Sequence, residues 1–204
     1  MIAIINYKAG NLASVSNALY RLNTDFEITN DPDRLELSEA VVFPGVGHAY
    51  SAMESLQETG MDSWLKETTK PVLGICLGMQ LFYESTEEGD TDGLGIIPGR
   101  LVKFDSAKNK VPHMGWNTFS PLKTHPLLKG IAKDRYFYYV HSYYAPVNEF
   151  TIGECTYINP FASVVARDNY FGVQFHPEKS GDAGSLLLQN FLAHVGEQGK
   201  VNIE

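Results

Sequence analysis

The chain contains two thiols, Cys76 and Cys155, in very different company. Cys76 is bracketed by Gly74 and Gly78 and follows an apolar run of strand character, Val72, Leu73 and Ile75. A helix-compatible run, Leu77 to Ser85, comes directly after it. This is the pattern of a nucleophile on a sharp strand-to-helix turn, where side chains on either neighbour but one would collide with the turn. The backbone N–H that follows the nucleophile then points at a developing oxyanion, and the start of the helix favours thiolate over thiol. A buried core cysteine after a parallel strand is the competing reading. Cys155 lies in an apolar run with no base near it in sequence.

A cysteine nucleophile requires a base, and the base requires an orienting group. Six histidines are available: His48, His113, His125, His141, His176 and His194. His194 falls in the closing helix, on its solvent side, and His125 precedes Pro126 in a loop. His176 ends a strand and has Glu178 two positions on. With Pro177 between them, the two side chains of an extended segment share a side, where a carboxylate can hold the imidazole Nδ1–H. A surface histidine and a solvated glutamate beside a turn proline is the alternative, and His113 and His141 remain rival bases.

The elements that must position these groups follow from periodicity. Ile2–Asn6, Phe26–Thr29, Ala40–Phe43 and Val72–Ile75 read as short buried strands. Between them, Leu12, Val15, Leu19 and Leu22 fall at helical spacing with Asn11 as N-cap after the Gly10 turn, and Asp31-Pro32-Asp33 opens a helical turn. Pro44-Gly45-Val46-Gly47 halts the third strand, and a helical stretch from Tyr50 to about Thr68 breaks near Gly60. Alternating strands and helices predict a parallel α/β sheet with its site beyond the carboxyl ends of the strands, where both Gly45–Gly47 and Cys76 fall. The acidic stretch Glu84 to Gly93 reads as a solvated loop. Beyond it come strands over Leu101–Phe104, Arg135–Tyr144, Thr151–Tyr157, Ala162–Arg167 and Tyr170–Phe175, the last two joined by an Asp168-Asn169 hairpin turn. A closing helix runs from about Asp182 to Val195 with Leu188, Phe191, Leu192 and Val195 on one face. The expectation is one domain over residues 1–204: a mostly parallel, flavodoxin-like sheet flanked by helices, with an antiparallel C-terminal addition.

Composition sets the outer bounds. At 204 residues, 44% hydrophobic and 20% charged, the chain has an ordinary globular make-up. A formal charge of −8 argues against a nucleic-acid or membrane-surface role. Two separated cysteines make no disulfide framework, paired CxxC arms for zinc are absent, and no GxxxxGK[ST] or GxGxxG loop is present. No cofactor and no metal are therefore expected. The apolar start at Met1-Ile2-Ala3-Ile4-Ile5, without a basic leader, suggests a protein of the reducing cytoplasm.

Gly74-Ile75-Cys76-Leu77-Gly78-Met79-Gln80 taken with Gln174-Phe175-His176-Pro177-Glu178 resembles the triad-type (class I) glutamine amidotransferases. The resemblance implies that Cys76 attacks the glutamine side-chain amide, that His176 acts as base and then acid, and that Glu178 orients it. A thioester is hydrolysed to glutamate, and ammonia passes to a synthase. Further blocks, Asn6–Leu12, Pro44–Gly47, Val111–Asn117, His141–Tyr143 and His176–Ser180, are similar to the amidotransferase subunits of imidazole glycerol phosphate synthases of histidine biosynthesis. The match is looser over Ser180–Gly184. By the same resemblance, the N–H groups of Gly47 and Leu77 form an oxyanion hole, a peptide flip in Pro44–Gly47 switches it on, and Gln80, Glu88, Ser142 and Tyr143 hold the amino-acid end of glutamine. Lys8, Asn11, His113, Trp116, Tyr136, Tyr138 and Lys179 are expected to face the partner, a (β/α)₈-barrel cyclase that carries the phosphate sites. Four consecutive aromatics at Tyr136–Tyr139 exceed what one buried strand face needs, which suits an interface or a strand buried on both sides. The same chemistry feeding another acceptor synthase, and a stand-alone cysteine hydrolase, are the alternatives.

Overall fold

The computed structural model describes residues 1–7 and 11–201, with side chains up to residue 196. The first half contains β1 (Ile2–Ile5), α1 (Leu12–Arg21), β2 (Phe26–Thr29), α2 (Pro32–Glu36), β3 (Ala40–Gly45), α3 (Ala49–Glu58), α4 (Met61–Glu67), β4 (Val72–Cys76) and α5 (Leu77–Gln80). There follow β5 (Tyr83–Thr86), β6 (Thr91–Asp92), β7 (Ile97–Lys103), β8 (His113–Asn117) and β9 (Ser120–Pro121). The chain finishes with β10 (Phe137–His141), β11 (Tyr143–Tyr144), β12 (Thr151–Thr156), β13 (Pro160–Arg167), β14 (Tyr170–Val173) and α6 (Gly181–Val201).

The principal sheet has eight strands in the order β2-β1-β3-β4-β14-β13-β12-β9. The first five run parallel, and β13, β12 and β9 continue the sheet antiparallel. Period-two alternation explains how both faces are covered. Ile2 and Ile4 pack with Val15 and Leu19 of α1 and Leu187, Leu188 and Phe191 of α6. Ala3 and Ile5 point the other way, into Ala52 and Leu56 of α3 and Leu65 of α4. Each large aliphatic side chain so buried contributes about 1.5–3 kcal/mol, and together they clamp β3 and β4 from both sides. Two smaller sheets, β11-β7-β5-β6 and β10-β8, complete the fold.

The structure departs from the sequence expectations where tertiary packing overrides local pattern. The helix after Cys76 stops at Gln80, one turn long, rather than reaching Ser85. The stretch from Glu84 to Gly93, expected as loop, carries most of β5, a 3₁₀ turn at Glu88–Asp90 and β6. Tyr83 and Thr86 of β5 are buried while Glu84, the strand's one charge, faces solvent. Arg135–Tyr144 is not one strand: β10 pairs with β8, and β11 turns away at Ser142 to pair with β7. β8 escaped notice because His-Met-Gly-Trp-Asn has little β-branched content. β3 continues through Pro44 to Gly45 instead of halting at Phe43. Asn11 makes no side-chain cap to α1, whereas Asp31 does cap α2, accepting from the Asp33 N–H.

Candidate active site

β3 and β4 lie side by side, with Gly45 paired to Cys76. Cys76 ends β4 and begins α5 with φ 54° and ψ −107°. A non-glycine residue held there costs on the order of 1–3 kcal/mol, which the surrounding core must supply. The flanking glycines are required by close approach. A Cβ on Gly78 would sit 2.0 Å from the Phe43 carbonyl oxygen, and one on Gly74 would sit 2.7 Å from the Phe82 ring. At Gly47, φ is +105° with open space on the side where a Cβ would project.

Cys76, His176, Gly47, Leu77, Gln80, Glu88, Ser142 and Tyr143 all line one cavity of about 290 Å³. A larger groove of about 640 Å³ along α6, lined by His125 and His194, contains none of the expected site residues. The smaller cavity is the candidate site because it holds the thiol and the imidazole together.

His176 is 1% exposed, and its Nδ1 lies 2.8 Å from Glu178 Oε1. Pro177–Lys179 is a 3₁₀ turn rather than the expected extended segment, and it still returns the carboxylate to the ring. The Ser180 hydroxyl ties that turn, donating to the His176 carbonyl at 2.6 Å and accepting from the Tyr138 N–H at 3.0 Å. With Nδ1–H given to Glu178, Nε2 is the nitrogen left for proton transfer, and it makes no hydrogen bond of good geometry. Burial is the largest single influence on His176 and disfavours its charge, but Cys76 and Glu178 together outweigh it and push the ring up to about 10. A ring raised in this way is one that takes the proton of the thiol, and the resulting imidazolium beside a thiolate is the arrangement that supports a sulfur nucleophile.

The rival bases have other employment. His141 Nδ1 faces the Tyr143 carbonyl oxygen at 2.8 Å, so it carries the hydrogen there and Nε2 accepts from His113 Nδ1 at 3.0 Å. Burial drives His141 down to about 3 and His113 down to about 4. Both are neutral structural groups. His113 was expected at the partner face; it is instead 4% exposed and stacked between Tyr139 and Tyr157. His194, expected on the wet side of α6, packs edge-on against Phe171.

Glu88 has a structural duty as well as a place on the cavity wall: its Oε2 accepts from the Ala49 N–H at the start of α3, at 2.9 Å. Both hydrogens of the Gln80 amide are engaged, with the Tyr143 carbonyl at 3.0 Å and Gln174 Oε1 at 2.9 Å. Its Oε1 is the atom that can meet an ammonium group. Gln174 and Ser180 were not singled out from the sequence. The signal available was only their nearness to His176.

The expected partner-facing residues divide. Along β10, Phe137 and Tyr139 are buried while Tyr138 is half-buried on the opposite side. Tyr136 and Trp116 are 58% and 56% exposed. The Trp116 and Tyr138 rings meet edge to face at 5.9 Å, and Lys179 Nζ lies 6.0 Å over Tyr138. Asn11 is half-buried, and Lys8 lies outside the described residues.

Comparison with known proteins identifies the family. The chain belongs to the class-I glutamine amidotransferase family, whose model matches residues 4–195. It is 51% identical over 193 residues to the imidazole glycerol phosphate synthase subunit HisH of Bacteroides fragilis (strain YCH46), covering 94% of this chain and 98% of that protein. It is 48% identical to the protein of the same name from Sulfurimonas denitrificans, over 95% of this chain and 98% of that one. A solved structure of a glutamine amidotransferase shares the fold, with a TM-score of 0.74 over 96% of this chain and 98% of that chain at 15% identity.

Proposed function

We propose that this chain is the glutaminase subunit of an imidazole glycerol phosphate synthase, acting in histidine biosynthesis. The observation that carries the reading is the conjunction of near-full-length similarity to HisH proteins with a cavity that joins Cys76 to a His176–Glu178 pair. In this reading the Cys76 proton passes to His176 Nε2 and Sγ attacks the side-chain carbonyl carbon of glutamine. The oxyanion meets the N–H groups of Leu77, in the unsatisfied first turn of α5, and of Gly47. His176 then protonates the departing nitrogen, ammonia leaves, and a thioester to Cys76 remains. Water, deprotonated by His176, attacks the thioester, and the C–S bond breaks to release glutamate. Glu178 holds the ring in the tautomer that both transfers need.

The relatives' names describe a subunit, and the partner we propose is a (β/α)₈-barrel cyclase docked over Trp116, Tyr136, Tyr138 and Lys179. Trp116, Tyr136 and Lys179 are exposed and Tyr138 half-buried beside them, an aromatic and basic face next to the turn that carries His176. We further propose that residues 1–204 form one domain and act in the cytoplasm; among the described residues no helix is long and apolar enough to cross a membrane. The test is glutamate release from glutamine by the purified chain, with and without the cyclase and its nucleotide substrate. Low turnover alone that rises by orders of magnitude in the complex supports the reading. High turnover alone, unaffected by the cyclase, would assign a self-sufficient hydrolase instead.

A further inference from the structure

The sulfur of Cys76 has a polar side-chain neighbour that the mechanism above does not use. Gln174 is fully buried, and its Nε2 lies 3.8 Å from Cys76 Sγ. The direction of this contact follows from the groups behind it. A backbone carbonyl can only accept, so the group Gln80 turns to the Tyr143 oxygen is its NH₂. The second hydrogen of that NH₂ goes to Gln174, which must present Oε1 to receive it. Nε2 of Gln174 is thereby left facing the sulfur. The Tyr143 carbonyl is held from its other side by His141, then His113, whose Nε2 accepts from Asn117 Nδ2 at 3.4 Å. One continuous series of hydrogen bonds thus fixes which atom of Gln174 meets Cys76.

Besides the His176 ring, the Val140 carbonyl oxygen lies near the sulfur, 3.9 Å away. It can take the hydrogen of a thiol, and it offers a thiolate only repulsion. The helix that begins at Cys76 is a single turn, so it brings little of the dipole that a longer helix would supply. Beyond the His176 ring, which holds the proton it has taken, a second donor to the charged sulfur has to come from another side chain. Hydrogen-bond distances at a resting site commonly shorten when charge develops.

We propose that Gln174 is a catalytic residue whose amide N–H donates to the Cys76 thiolate, with Gln80 as the positioning residue that sets the amide's direction. The contact acts twice in the reaction proposed above, on which this inference rests. It stabilises Sγ after its proton has moved to His176 and before the S–C bond forms. It does so again when the C–S bond breaks and the electron pair returns to sulfur. Because thiolate exists at both moments and neutral thioester between them, the donor favours the charged species on each side of the intermediate.

The test needs no partner subunit. Alkylation of Cys76 by iodoacetamide, followed by peptide mass spectrometry across pH 5–10, reads thiolate directly. Gln174→Met keeps length and removes the donor. It is expected to move the midpoint of the profile up by about one pH unit and to lower glutamine kcat at least tenfold in the complex, with KM little changed. Gln174→Glu retains an acceptor for Gln80 but turns an oxygen to the sulfur, and is expected to shift the midpoint further in the same direction. It reads the effect if the methionine variant fails to fold. The other titratable groups around the sulfur, Tyr7, His141 and His176, with Glu88 and Tyr143 on the cavity wall and Glu178 behind His176, are unchanged in both variants. Profiles superimposable on wild type in a folded variant would overturn the inference. The underlying reading fails separately: Cys76→Ala would then retain glutamine hydrolysis.

Discussion

Mild acid should destabilise this protein before most of its carboxylates titrate. His113 and His141 are buried, share one hydrogen between Nδ1 and Nε2, and are driven by burial down to about 4 and about 3. A proton added to His141 Nε2 faces the His113 Nδ1–H, and one added to His113 Nε2 faces the hydrogens of Asn117 Nδ2. Both native values lie below the ordinary 6.5, so below that pH the unfolded chain binds protons that the native chain refuses, and stability falls as pH falls. Each ring removes about 1.4 kcal/mol per pH unit below 6.5, so at pH 5 the pair costs about 4 kcal/mol. That is a large share of the ~5–15 kcal/mol a domain has. His125, pushed down by burial and by His194, adds to the loss. His176 works in the opposite sense. Raised to about 10, its contribution is complete below 6.5 and is lost as pH climbs from there to 10. Urea unfolding at pH 7, 6 and 5 measures the slope directly. His113→Phe, which keeps a ring between Tyr139 and Tyr157, should be less stable at pH 7 and should lose about one proton's worth of slope. A wild-type slope near zero between pH 6.5 and 5, or an unchanged slope in the variant, would refute the buried neutral pair.

Three further outcomes follow from the same geometry. Glu178→Gln should reduce glutamine turnover less than His176→Ala, because the orienting group is one step from the chemistry; steady-state kinetics of the complex decide, and equal losses would mean the two act as one unit. Gly78→Ala places a methyl 2.0 Å from the Phe43 carbonyl, so it should destabilise the fold by about 2–4 kcal/mol and abolish activity, as thermal melting and glutamate release will register. Trp116→Ala should leave thermal stability within about 0.5 kcal/mol, since the ring is largely exposed, while weakening partner binding by at least tenfold in titration calorimetry.

Much of the fold was legible because the parallel strands are short, apolar and punctuated. Phe26–Thr29 matches its predicted bounds, and the break near Gly60 separates α3 from α4. What was not legible depends on distant partners. Tyr83–Thr86 becomes a strand because β7 and β6 lie on either side of it, 15 residues or fewer along the chain yet invisible to local periodicity. His113 reads like a surface residue among Met114 and Trp116, and is buried because β8 alternates sides against β10. Gln174 has only its nearness to His176 to mark it until Gln80, 94 residues earlier, is placed against it. Flanking glycines marked Cys76 and two-residue spacing marked His176 and Glu178, both local features, but only the family resemblance set His176 above His113 and His141; the fold brings Cys76 and His176 to one cavity.

The most direct test of the account is covalent. A diazoketone analogue of glutamine alkylates the nucleophile that recognises the glutamine side chain, and peptide mass spectrometry locates the label. Cys155 is 2% exposed and pushed by burial up to about 12, so the account predicts label on Cys76 alone, prevented by excess glutamine and lost in His176→Ala. Glutamine-protected label on Cys155, or full glutamine turnover from a chain that Cys76 labelling has saturated, would contradict it.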